Sequence, residues 1–91
     1  MKIKEGYLVH EVAGNFVVIK IGQEAVNFNG LITLSESAKM LWDLLIRPQG
    51  ASLDKLVNKL LEEYEIDLET AKNDTIEFVE SLKVNNILKD E

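Results

Sequence analysis

The residue types behind most protein chemistry are scarce in this chain. It holds one histidine, His10, and no cysteine. Without cysteine there is no disulfide, thiolate metal site, cysteine nucleophile or cysteine-ligated iron–sulfur cluster. A single imidazole rules out a histidine-rich metal centre. His10 falls in Tyr7-Leu8-Val9-His10-Glu11-Val12, a strand candidate. Its neighbouring carboxylate, Glu11, points to the opposite side of such a strand and cannot orient it. His10 therefore reads as a surface strand residue. The five glycines are scattered at turn positions and form no phosphate-cradling loop. Glu62, Glu63 and Glu65 surround Tyr64 without the spacing of a calcium loop, and read as a solvated acidic face. No catalytic residue, metal or cofactor is expected, and an enzyme acting alone is the least favoured class.

Charge narrows the partners. The formal net charge is −6 over 91 residues. Residues 1–34 are balanced: Lys2, Lys4 and Lys20 offset Glu5, Glu11 and Glu24. The whole excess lies in residues 35–91, which hold 7 basic and 13 acidic side chains. Nucleic-acid binders gain non-specific affinity by neutralising phosphates, so this balance opposes them. The bland reading of the acidity is solubility. No apolar run approaches the roughly 20 residues of a membrane span. No apolar stretch of signal-peptide type follows Met1 to Glu5. The sequence reads as a small soluble cytoplasmic protein, one domain over residues 1–91.

Any binding site must be positioned by elements whose periodicity changes near residue 34. Tyr7–Val12 and Phe16–Ile21 are rich in β-branched residues and flank Ala13-Gly14-Asn15, which reads as a hairpin turn. Ala25–Phe28 and Leu31–Leu34 flank Asn29-Gly30, a strong turn dipeptide. This stretch is either a second small hairpin or one bulged strand, and a third strand centred on residues 30–34 is favoured. Ser35 then caps a first helix whose apolar face is Ala38, Leu41, Trp42, Leu45 and Ile46. Trp42 reads as a core anchor rather than a ligand-stacking ring. Pro48 and Gly50 end that helix. Ser52 caps a second helix with the stripe Leu53, Leu56, Val57, Leu60, Leu61 and Tyr64. Asp67 caps a third, with Leu68, Ala71, Thr75, Phe78, Val79 and Leu82 on one side. Asn85-Asn86 ends it, and Ile87-Leu88 is a last apolar pair. The fold class is α+β: a three-stranded antiparallel sheet followed by three helices that cover one face.

Two features of this arrangement point to binding. A sheet this small leaves an edge strand with unpaired backbone groups; the edge near residues 30–34 either accepts an added peptide strand or is blunted by a bulge at Asn29-Gly30 or covered by a helix. Alternation puts Leu31 and Thr33 on one face and Ile32 and Leu34 on the other, and leaves open which meets a peptide. On the third helix, Ile76 lies on a flank with Lys72 and Lys83 in helical register, as an exposed apolar contact or as core periphery.

The ordered residues resemble a family. Tyr7 to Val12, Gly14, Phe16 to Ile21 and Asn27-Phe28-Asn29-Gly30-Leu31-Ile32-Thr33-Leu34-Ser35-Glu36 look like the start of a pyrroloquinoline quinone biosynthesis protein D-like domain. Leu34-Ser35-Glu36-Ser37-Ala38, Leu41-Trp42 and Leu44-Leu45 match its strand-to-helix signature. Ser52 to Leu56, Leu60, Tyr64 to Asp67, Asp74, Phe78-Val79, Leu82 and Ile87-Leu88 continue it, so the similarity covers nearly the whole chain. Ser35 departs from the family's usual Asn, and both residues cap helices well. The resemblance implies a winged-helix-like fold and a non-catalytic function, recognition of the leader of a ribosomally made precursor peptide. The leader would add as a strand against the third strand, beside the third helix. The domain would present it to a modifying enzyme, typically a radical S-adenosylmethionine protein. On this basis the peptide site comprises Asn29, Gly30, Leu31, Ile32 and Thr33 with Lys72, Thr75, Ile76, Val79 and Lys83, the two lysines orienting acidic leader residues.

Two other readings compete. A winged-helix DNA binder would read with residues 68–84, but that helix sets Glu69, Asp74, Glu77 and Glu80 against Lys72 and Lys83. A dimeric scaffold would pair edge strands between copies, which makes the expected state a monomer or weak homodimer.

Overall fold

The computed structural model describes residues 1–21 and 32–89. A β-hairpin opens the main sheet. Strands β2 (Tyr7–Val12) and β3 (Asn15–Lys20) follow a short strand β1 (Lys2–Ile3) and pair antiparallel from Tyr7↔Lys20 to Val12↔Asn15. Ala13 and Gly14 make the connection, both with positive φ (52° and 83°). Two left-handed central residues match the twist of the flanking strands, which is why a two-residue loop closes here. The second strand thus begins one residue earlier than expected and ends before Ile21.

Strand β4 (Ile32–Leu34) joins the other side of β3, with Phe16↔Leu34, Val17↔Thr33 and Val18↔Ile32 in register, giving the order β2-β3-β4. Asn29, Gly30 and Leu31, with the expected turn at Asn29-Gly30, lie outside the described residues. The register shows which face packs into the core. Tyr7, Val9, Phe16, Val18, Ile32 and Leu34 share the side that packs into the core, and Thr33 is exposed on the other. His10 is exposed, opposite Val17.

Three helices follow: α1 (Glu36–Leu45), α2 (Leu53–Glu63) and α3 (Leu68–Val84). Each expected cap is in place. The Ser35 hydroxyl accepts from Ala38 N–H at 3.1 Å, the Ser52 hydroxyl from Lys55 N–H at 3.2 Å, and Asp67 Oδ1 from Thr70 N–H at 2.7 Å. Helix α1 packs on β1, β4 and α2, and α2 packs on α3. Leu41, Trp42, Leu45, Leu56, Leu60 and Leu82 form the centre of the core, none more than 2% exposed. Thr75 is fully buried among them, its hydroxyl satisfied by Ala71 C=O at 2.7 Å.

Several expected core residues are half exposed instead: Ile46 (44%), Leu53 (40%), Tyr64 (39%) and Leu68 (51%). All four sit at helix ends. There the neighbouring element falls away within a turn, and periodicity overstates the buried stripe. The sequence reading also missed a second sheet. Strand β5 (Leu88–Lys89) pairs with β1, Lys2↔Lys89 and Ile3↔Leu88, and brings Ile3, Ile87 and Leu88 into the core.

The Asp67 cap has a pH signature. Hydrogen bonds from the Thr70 hydroxyl, then from its backbone N–H, hold the Asp67 carboxyl below its ordinary value of 3.8, against a smaller opposing effect of desolvation. A depressed folded value adds stability that is present above 3.8 and lost as pH falls through the lower value. Asp67→Asn keeps an acceptor at the cap but cannot titrate. In urea unfolding between about pH 5 and pH 2, the native chain should therefore lose more stability than Asp67→Asn. Equal losses would remove this linkage.

Candidate peptide-docking site

The site begins with an open strand edge. Among the described residues, β4 pairs only with β3. Its other side presents backbone N–H and C=O groups of the kind an extended chain can pair with.

Where β4 ends, Ser35 turns the chain into α1, and a groove opens between this junction and α3. Its volume is about 370 Å³. Ser35, Ser37, Ala38 and Leu41 form one wall, Asp74, Glu77, Phe78 and Ser81 the other, and Leu60 of α2 contributes below. The deepest of these residues are apolar: Leu41 and Leu60 are each 2% exposed, and Phe78 7%. The Ser35 and Ser37 hydroxyls lie 3.2 Å apart, and the Ser81 hydroxyl donates to Phe78 C=O at 2.7 Å. Among the described residues no lysine or arginine lines the groove. Asp74 and Glu77 have no ion-pair partner among the described residues, whereas Asp43, Glu63 and Glu80 are reached by Lys39, Lys59 and Lys83 at 2.6, 3.2 and 4.0 Å.

Helix geometry explains which α3 residues meet this groove. The buried row of α3 is Ala71, Thr75, Phe78, Val79 and Leu82. Positions 74, 77 and 81 recur on one flank of that row, and positions 72, 76 and 83 on the other. The first flank faces the β4–α1 junction. Ile76, 47% exposed, shares the second flank with exposed Lys72 and Lys83. Val79 (5%) and Thr75 (0%) lie in the row between the two. Of the sequence-derived site residues within the described chain, Ile32 and Thr33 lie on β4 beside the groove's mouth. Lys72, Ile76 and Lys83 lie around the helix from it. Asp74, Glu77, Phe78 and Ser81 were not singled out, although their spacing of three and four marks a common stripe. The same spacing marks both flanks, so periodicity could not choose between them.

A second hollow, about 650 Å³, lies between the β1–β5 ribbon and the end of α1. It is larger, and it is built on a ribbon whose strands are two residues each. Two of its lysines are already engaged, Lys2 Nζ with Pro48 C=O at 3.5 Å and Lys4 Nζ with Asn86 Oδ1 at 2.7 Å. Among the described residues no group of acidic, histidine or cysteine side chains is arranged to hold a metal ion, and no helix is long and apolar enough to cross a membrane.

The fold is shared with solved structures. One, TbiB1 in complex with the TbiA(beta) leader peptide, aligns over 100% of this chain and 98% of its own with a TM-score of 0.74 at 20% identity. A lasso peptide synthetase B1 complexed with the leader peptide aligns over 98% of this chain and 96% of its own, with a TM-score of 0.70 at 20% identity. No curated protein matches the chain. The family model of coenzyme PQQ synthesis protein D (PqqD) matches residues 8–88, and the chain belongs to that family.

Proposed function

We propose that this protein captures the leader segment of a ribosomally made precursor peptide by strand addition and presents it, in the cytoplasm, to a modifying enzyme. The family resemblance points to a radical S-adenosylmethionine protein as the class of that enzyme. The protein itself contributes binding rather than catalysis. The observation that carries this reading is the β4 edge, unpaired among the described residues, ending at a groove with an apolar floor. Both structural neighbours are complexes with leader peptides, which supports it.

Magnitudes say how the two parts share the work. An edge of three residues offers about two to four outward main-chain groups. Each hydrogen bond is worth about 0.5–1.5 kcal/mol net. Ordering a disordered leader costs roughly 2–5 kcal/mol. Strand pairing therefore little more than offsets ordering, and sets direction and register. Net affinity must come from side chains buried against Leu41, Leu60 and Phe78, at roughly 25 cal/mol per Å² of apolar surface.

The test is an amide-resolved NMR titration of labelled protein with a synthetic leader of the precursor encoded beside its gene. Saturating shifts should fall on Ile32–Leu34, on Ser35 to Ala38, and on Asp74 to Ser81, with His10 unmoved. Shifts confined to other surfaces, or salt-sensitive shifts with duplex DNA instead, would refute leader capture.

A further inference from the structure

Resting on that reading, we propose that the captured segment carries a lysine or arginine set close to an apolar anchor, with Asp74 and Glu77 reading the charge. The apolar anchor goes to the floor formed by Leu41, Leu60 and Phe78. The basic group goes to the wall of α3.

Two observations give the sign of the charge. Among the described residues the groove is lined by two carboxylates and no cation. Those carboxylates stand three residues apart on one helix, so they repel each other, and neither has an ion-pair partner among the described residues. The one opposing influence is the start of α1, which also opens here. A helix N-terminus is worth roughly half a positive charge, and Glu36 already occupies its first turn. Two full negative charges therefore dominate the groove. A cation seated between Asp74 and Glu77 gains charge-assisted hydrogen bonds from both, and a guanidinium adds a planar fork that fits a carboxylate.

This reverses the charge expected from the sequence, which pairs Lys72 and Lys83 with acidic leader residues. Those lysines stand on the far flank of α3, around the helix from the groove. The acidic excess of the helical half is thus not only a solubility device. Two of its members define what the groove accepts.

A displayed library of random twelve-residue peptides, selected on the immobilised protein, tests the rule whatever the sequence of the natural leader. The winning pool should be enriched in Lys or Arg within a few positions of a large apolar residue. The Asp74→Asn, Glu77→Gln double variant is isosteric at exposed positions. It should select the same apolar anchor without the basic preference, and bind the winning basic peptide roughly tenfold or more weakly, as expected for loss of a charge-assisted hydrogen bond. NMR mapping of the winners separates the charge rule from leader capture itself. Winners that shift Ile32–Leu34 and the groove but carry no basic enrichment, or bind the double variant equally well, overturn the charge rule and leave leader capture standing. Selection of no peptide that shifts those residues sinks leader capture, and the charge rule with it.

Discussion

Ser81→Arg should weaken leader binding by about a hundredfold or more, a loss of about 2.7 kcal/mol, while the melting temperature stays within a few degrees of the native value. Ser81 sits at the lip of the groove and is only partly buried, so a longer side chain has a path out to solvent. The substitution removes one hydrogen bond, from the Ser81 hydroxyl to Phe78 C=O. That costs about 1 kcal/mol. In return, Arg stands four residues after Glu77, the favourable order for a helical ion pair, which returns about 0.2–0.5 kcal/mol. The fold barely notices. The groove does, because the guanidinium lies across the space that the leader's anchor needs and occupies the carboxylates that face it. Anisotropy of a fluorescent leader peptide measures the effect. Ile76→Asp is the matched comparison. Ile76 is half exposed on the opposite flank of α3, so its replacement should leave affinity within about threefold, under 1 kcal/mol. The reverse pattern, with Ile76→Asp destroying binding and Ser81→Arg harmless, would move the site to the flank of Lys72, Ile76 and Lys83.

Gly50→Ala should be the most damaging single-methyl change, lowering stability by about 2–5 kcal/mol and the melting temperature by tens of degrees. Gly50 has φ +64°, in the left-handed region, and a Cβ there would lie 2.2 Å from the Met1 carbonyl oxygen and 2.9 Å from Lys2 Cβ. Both contacts fall below what real Cβ atoms show, and one is to backbone, so the first residues must shift. What they hold is substantial. Ala51 N–H donates to Met1 C=O at 2.9 Å, and the Met1 amino group donates to Ala51 C=O at 3.1 Å. This clasp starts the β1–β5 ribbon and seats Ile3, Ile87 and Leu88 in the core. Gly14→Ala separates the two causes. Gly14 also has positive φ, +83°, but nothing lies within 4 Å of its would-be Cβ. It should show the backbone cost alone, about 1–2 kcal/mol. Equal effects of the two substitutions in urea unfolding would show that the clasp contributes nothing.

Much of the architecture was legible because it is locally encoded. Ser35, Ser52 and Asp67 each announce a helix start through a side-chain acceptor three residues ahead of the N–H it satisfies. Ala13-Gly14-Asn15 announces a hairpin through Gly14 and Asn15, both turn-forming residue types, and β-branched runs announce the strands. The interiors of the three helices follow, since Leu41, Trp42, Leu56, Leu60, Phe78 and Leu82 recur at the helical period. These signals fall within a few residues of one another, which is the range over which sequence pattern carries physical information.

Other features depended on residues far apart in the chain. The β1–β5 ribbon joins strands of two residues each across almost the full length, too short for any periodicity and stabilised only because the core needs a cover. Ile46, Leu53 and Leu68 read as core by spacing, and the falling away of neighbouring elements at the helix ends exposed them. The candidate site shows the division most sharply. Sequence alone pointed to a sheet edge near residues 30–34 and to a buried row on α3 with Lys72, Ile76 and Lys83 on a flank. It could not determine which flank faces the edge, because both repeat at three and four residues and differ only in the direction taken around the helix. The packing of α3 against α2 and β5 made that choice. It turned Asp74, Glu77 and Ser81 toward the end of β4 and Lys72, Ile76 and Lys83 away, and so set the charge of the groove opposite to the one local pattern suggested.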